Sequence, residues 1–234
     1  SGYVLSGGSL SAGVVLKVGP SGSAVSQTLA SGQQLIELSG GLASATTISS
    51  GGTEAVSSGG VASGTTVLSL GSQSISNGGT ASTTIVGSGG AEIVSSGGTA
   101  SAAQLVGGGT LTVLAGGTAI GTFVSSGAAT SVTSGATWSA TQILSGGIEN
   151  VLSGGVGGGA TVNGGALLIV SSGGTASGDT VLSGGTLELL SGATLGVVTL
   201  SSNAILEVAS GYVLSGGSLS AGVVLKVGPS GSAV

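Results

Sequence analysis

The sequence contains no cysteine, histidine or arginine, and only two prolines. Without cysteine there is no disulfide, no thiolate nucleophile and no thiolate metal site. Two lysines against seven acids give a net charge of −5, so the basic footprint that nucleic acid or an anionic membrane surface needs is missing. Charged residues make up only 4% while hydrophobic ones reach 40%, which excludes a charge-rich disordered chain. The 52 glycines follow no period of three, which excludes collagen. No apolar run approaches the roughly 18 residues of a membrane-spanning helix, and no signal-peptide pattern opens the sequence. This segment is therefore expected not to insert into a membrane.

What is present is a period. Ser172–Ser191 (SGGTASGDTVLSGGTLELLS) recurs in degraded form along the whole chain. With the first glycine of SGG as origin, corner glycines fall at Gly40, Gly59, Gly78, Gly97, Gly116, Gly135, Gly154, Gly173 and Gly192, each 19 residues apart. Ser21 stands at the one missing origin. A second glycine follows 11 residues after most origins, with Leu70 and Asn203 as exceptions. A strict period of this size predicts stacked coils, each contacting only its neighbours. Glycine every 8 or 11 residues, with Val, Ile and Thr between, excludes helix and favours short strands.

A longer period overlies the first. Residues 1–25 return letter for letter as residues 210–234, an offset of 209, or 11 × 19. Residues 1–209 therefore read as one eleven-coil module, and 210–234 as the start of the next, stacked without a linker. The expected fold is an all-β parallel β-solenoid of about twelve coils.

Numbering columns from the origin, column eight holds Leu29, Ile48, Val67, Val86, Leu105, Val124, Ile143, Val162, Val181 and Leu200. Column sixteen holds Val56, Ile75, Val94, Val113, Val132, Val151, Val170, Leu189 and Val208. These are expected to be the inward ladders of two short parallel strands per coil, repeating at about 4.8 Å. Column three is mostly alanine and column two mostly threonine or valine. Period two alone leaves open which of them faces in. Glu37 interrupts column sixteen, and an isolated charge inside is costly. A local register slip is expected there, with Leu35 or Leu38 inside and Glu37 out. Trp138, in the alanine column, is expected to fill the interior, with Gly157 one coil on making room.

Chemistry-bearing groups are few, and no catalytic, cofactor-binding or metal-binding residue is assigned. Glu54, Glu92 and Glu149 share column fourteen, and Glu188 and Glu207 share column fifteen. All five read as solvated charges on a rod surface. Asp179 occurs in a single SGDT and stands alone, so the repeated aspartates of a calcium-binding roll are missing. A flat threonine ladder for ice is missing too: Thr80, Thr99, Thr118 and Thr137 align, but Ser82, Ser101, Ile120 and Ser139 beside them do not. The chain is expected not to be an enzyme.

The segments Ser58–Val67 (SGGVASGTTV), Ser96–Leu105 (SGGTASAAQL) and Ser172–Val181 (SGGTASGDTV), each followed by GGTLELLSGG-like residues, resemble the 19-residue repeats of AIDA-type autotransporter adhesin passengers and related giant bacterial surface proteins. The resemblance covers essentially the whole chain. It implies a right-handed solenoid at the cell surface or outside the cell, acting as an adhesin stalk, biofilm component or fibre. It also implies that repeat Ser or Thr residues are possible glycosylation acceptors. Expected partners are further copies of the chain, through coil stacking or end-to-end and lateral assembly, and surface or matrix glycans. A self-assembling filament or sheath and a glycan-binding solenoid are the alternatives.

Overall fold

Short β-branched segments separated by glycine cannot hold a strand for long, so each coil is extended in pieces and turns between them. In the computed structural model, which describes residues 3–209, 211–214, 219–229 and 231–233, one coil runs through the strands Thr80–Ser82, Ile85–Val86 and Ala91–Val94. The next repeats them one period on, as Thr99–Ser101, Gln104–Leu105 and Thr110–Val113. Pairing is parallel and in phase: Thr80↔Thr99, Ile85↔Gln104 and Ala91↔Thr110 are Cα partners. The chain is an all-β parallel β-solenoid, with no helix among the described residues.

The Ala91–Val94 strand and its equivalents form one sheet of twelve strands, from Val15–Val18 at one end to Val224–Val227 at the other. The remaining strands build the facing wall. Two strands per coil were expected and three segments are found. The extra division comes from a bend at column five, where Thr83 (φ 53°) sits in the left-handed region. Its amide points along the rod and donates to Ser101 O in the next coil at 2.9 Å. The two glycine corners of the same coil, Gly78 (φ 83°) and Gly89 (φ 71°), adopt the same region, which only glycine enters without steric cost.

The interior is lined by columns three, six, eight, fourteen and sixteen. Column three faces in: Ala24, Ala43, Ala62, Ala81 and Ala119 are fully buried, whereas the Thr80 and Thr99 positions of column two are half-exposed. In column eight Leu29 through Val181 are fully buried. Leu200 is half-buried, because its outer neighbour Leu219 is itself 40% exposed. In column sixteen every residue from Val56 to Val208 is fully buried. Each buried aliphatic contributes about 1.5–3 kcal/mol against the ordering entropy of a glycine-rich coil, so stability accrues with each coil added.

No register slip occurs at Glu37. Its strand, Gln34–Glu37, pairs in phase with both neighbours (Val18↔Glu37, Glu37↔Val56), and Glu37 is fully buried alongside Leu35 while Leu38 is only half-buried. Coil-to-coil pairing fixes four backbone positions at once, and shifting one side chain outward would break that ladder on both sides. Trp138 is inside, 4% exposed, within Thr137–Ser139. At Gly157 the atoms nearest a Cβ placed there are Val151 Cγ2 (3.2 Å), Asp179 Oδ2 (3.6 Å) and the backbone carbonyl of Thr175 (3.7 Å).

Candidate functional site

Two features of the rod carry polar chemistry: a file of acids inside and files of serine on the corners. The strand alternation places the acids. Within Thr53–Val56, residues alternate outward and inward, so Glu54 and Val56 point to the same interior. The same rule turns Glu92 and Glu149 inward, and all three are at most 1% exposed. Column fourteen is thus interior, and the surface position expected for these acids is overturned. The sequence carried the signal: this column is leucine at Leu16, Leu35, Leu111, Leu168, Leu187, Leu206 and Leu225.

The first acid cluster spans consecutive coils. Glu54 Oε2 accepts from Thr65 Oγ1 at 2.9 Å and from Gln73 Nε2 at 2.6 Å, and Gln73 Oε1 accepts from Thr84 Oγ1 at 2.9 Å. Column six supplies these hydroxyls from inside the coil. Glu37 lies beside Glu54; burial, reinforced by that neighbouring charge, pushes its carboxyl up to about 9. Burial also raises Glu54, against the lowering effect of its Thr65 and Gln73 donors. Glu92, again through burial and with Glu54 adding to it, is pushed up to about 8. Among the described residues no cation faces the group, so a buried carboxyl is cheaper neutral than ionised.

The second cluster joins Glu149, Trp138, Thr141 and Asp179. Trp138 Nε1 donates to Thr141 Oγ1, and the amide of Ala160 donates to Asp179 Oδ1 at 2.8 Å. Burial, with Asp179 adding to it, pushes Glu149 up to about 8. Asp179 is raised by burial to about 6, with the Ala160 amide pulling the other way. Asp179 therefore does not stand alone; it is 1% exposed and electrostatically linked to Glu149. Glu188 and Glu207 differ: they are half-exposed Cα partners on the outer face, and partial burial followed by the Glu207 charge raises Glu188. Among the described residues no group of three or more His, Cys, Asp or Glu is placed to hold a metal ion.

The corner glycines Gly40, Gly59, Gly78, Gly97, Gly116, Gly135, Gly154, Gly173 and Gly192 all have φ between 71° and 83°. Ser39, Ser58, Ser96, Ser134, Ser153, Ser172 and Ser191 precede them and are exposed. Ser31, Ser50, Ser69, Ser88, Ser126, Ser145, Ser183 and Ser202 form a second exposed file at the other glycine corner. Members on adjacent coils are about 4.8 Å apart, and the files skip a coil at Asn77 and Ala115 and at Gly107 and Gly164.

An unbroken parallel stack with a sealed interior and serine-lined corners defines a solenoid stalk module. A family model described as adhesin of bacterial autotransporter system, probable stalk, matches residues 100–147. A solved structure of a hyper-glycosylated TibA fragment, its glycosylation catalysed by TibC, superposes with a TM-score of 0.85 at 30% identity, over 97% of this chain and 77% of that one. No curated protein sequence matches. The chain belongs to the AIDA-type autotransporter adhesin family.

Proposed function

We propose that the chain is a length of adhesin stalk displayed outside the bacterial cell, whose work is extension and presentation rather than catalysis. The observation that carries this reading is the continuity of the coil pairing, from Val4↔Ser23 to Val208↔Val227, along one axis. The acids support it as well. A carboxyl pair that cleaves polysaccharide must reach its substrate, and Glu54, Glu92 and Glu149 are sealed inside. Display of the chain on a non-adherent bacterium tests the reading. Straight surface rods in electron micrographs and gained adhesion to host cells or matrix are expected; turnover of a polysaccharide by the purified chain would overturn it.

The glycosylated TibA fragment extends the proposal to the surface. The exposed corner serines are the acceptors this chain offers, whereas Thr65 and Thr84 inside the coil are not reachable. Co-expression with a TibC-type transferase followed by peptide mass spectrometry should place sugars on the Ser96 and Ser126 files. Sugar on Thr65 or Thr84 would contradict this.

A second reading, lateral bundling into a matrix fibre, is favoured by one surface feature. Ile85, Ile120 and Phe123 are 40–44% exposed on nearby coils of one wall. If that wall bundles rods, Phe123→Ser should disperse them in micrographs without changing the circular dichroism.

A further inference from the structure

Column fourteen carries one amide, Gln73, between the acids Glu54 and Glu92. Gln73 is the Cα partner of Glu54 on one side and of Glu92 on the other, so the three stack at about 4.8 Å along the interior. Each is at most 1% exposed. Column six faces this file eleven residues further along the chain, where Thr65 bonds Glu54 and Thr84 bonds Gln73. The equivalent residue for Glu92 is Ala103, which has no hydroxyl to offer. Nowhere else in the sequence does a column-six hydroxyl stand opposite a column-fourteen amide.

These groups stand in the order that an acyl transfer needs. Thr84 Oγ1 lies 2.9 Å from Gln73 Oε1, which sets a nucleophilic oxygen against the amide carbonyl. On the far side, Gln73 Nε2 is 2.6 Å from Glu54 Oε2, and Thr65 Oγ1 holds that carboxyl at 2.9 Å. Neither oxygen of Glu92 has a hydrogen-bond donor among the described residues. The Thr84 hydroxyl bears on Glu92 all the same, pulling its carboxyl down against the effect of burial, so hydroxyl and free carboxyl are neighbours. A hydroxyl turns nucleophilic beside a base, and an amide nitrogen leaves once an acid protonates it. Water, the usual competitor for an acyl group, is kept out by the walls.

We propose that Thr84 and Gln73 close an intramolecular ester across the interior of the rod. Thr84 Oγ1 attacks Gln73 Cδ and passes its proton to Glu92. Glu54 protonates Nε2, the Cδ–Nε2 bond breaks, and ammonia leaves. One C–O bond forms and one C–N bond breaks. Nothing is oxidised or reduced, and the two carboxyls together hold as many protons afterwards as before. Thr84 is the one donor to Gln73 Oε1 among the described residues, so no second donor steadies the oxyanion and closure is slow. The Thr65–Glu54 contact has similar geometry but no amide leaving group. The product ties the twelve-strand sheet, at Ser72–Ile75, to the facing wall beside Ile85–Val86, and encloses the Gly78 corner in a covalent ring. The inference concerns the shaft and stands whether or not the rod carries an adhesive tip.

Mass spectrometry of the full chain tests it. Folded protein incubated for days should become lighter by one ammonia. Cleavage after glutamate releases residues 55–92, which hold both groups, as one peptide. That peptide should carry the loss and give no backbone fragments between Gln73 and Thr84 until hydroxylamine opens the ring. A succinimide at Asn77–Gly78 would also lose ammonia, but it leaves those fragments visible and persists without the Thr84 hydroxyl. Thr84→Val should abolish the loss, and valine already occupies this column at Val198. Thr84→Ser keeps a hydroxyl and should keep the loss, and circular dichroism checks that both variants fold. Glu54→Gln should slow closure about a hundredfold. A folded parent of unchanged mass, a loss that persists in Thr84→Val, or a Glu54→Gln variant that closes as fast as the parent would each overturn the proposal.

Discussion

Gln73 donates its Nε2 to Oε2 of Glu54, its Cα partner one coil away, at 2.6 Å and out of reach of water. The bond belongs to a file of interior acids with no cation facing them, and the file makes the stability of the rod depend on pH. Glu37, Glu92 and Glu149 ionise near 9, 8 and 8 when folded, against 4.5 ordinarily. Between those values the folded chain keeps protons that the unfolded chain has released. Stability therefore falls as pH rises from about 4.5 to about 9, and is greatest in acid. The thermal midpoint at pH 5 is expected to exceed that at pH 9 by about 5–10 °C. The triple variant Glu37→Gln, Glu92→Gln, Glu149→Gln should flatten the profile. Equal midpoints for the parent at both pH values would refute the argument.

Gln73 also offers a test of the network itself. Gln73→Leu strips Glu54 of a donor and leaves the buried carboxyl less satisfied, at a cost of about 2–4 kcal/mol. Adding Glu54→Leu should recover most of that loss, because leucine already occupies this column in seven other coils and fits the interior. Urea unfolding of the two single variants and the double closes the cycle. Strict additivity of the two changes would mean the residues do not interact.

The stacked-coil fold was legible because a 19-residue period with glycine corners allows little else, and the glycine corners were visible for the same reason. The third bend was not. Column five is glycine at Gly7, Gly64, Gly121, Gly159, Gly178 and Gly216, while Ser26, Ala45, Thr83, Ala102 and Ala140 reach the left-handed conformation without one. Neighbouring coils hold the backbone there, so residue type carries no mark of it. The acids were misplaced for a different reason. Charge argues for the surface, but the strand period ties Glu54 to the side of Val56, and pairing on both edges leaves no freedom to turn it out. Coil register outweighs the desolvation of one group that can stay protonated.

Trp138 is the chain's single tryptophan, so its burial can be read by fluorescence. Emission should be blue-shifted and resist acrylamide in the folded rod, then move red on unfolding. Trp138→Ala removes the largest interior side chain of its coil and is expected to cost about 3–5 kcal/mol. Trp138→Phe keeps most of the volume but loses the donor to Thr141, for about 1–2 kcal/mol. Denaturant midpoints in the order parent, Phe, Ala would support interior packing; an alanine variant as stable as the parent would refute it.

Leu70 replaces the corner glycine of its coil yet keeps the corner's shape, with φ 61°. The Leu70 amide donates to Gly89 O at 3.0 Å, and Gly51 N donates to Leu70 O at 2.9 Å, so stacking on both sides holds the residue in place. An L-residue in the left-handed region carries a cost of about 1–2 kcal/mol. At 75% exposure the side chain has little burial to offset it. Glycine would remove the strain and add about 0.5–1 kcal/mol of unfolded-state entropy, leaving a net gain. Leu70→Gly is therefore expected to stabilise the rod by about 0.5–1 kcal/mol, seen as a raised urea midpoint with an unchanged slope. Asn203, at φ 61° in the same column, tolerates the left-handed region better than leucine, so Asn203→Gly should gain less. A destabilised Leu70→Gly would show that the leucine side chain contributes more through contact than its conformation costs.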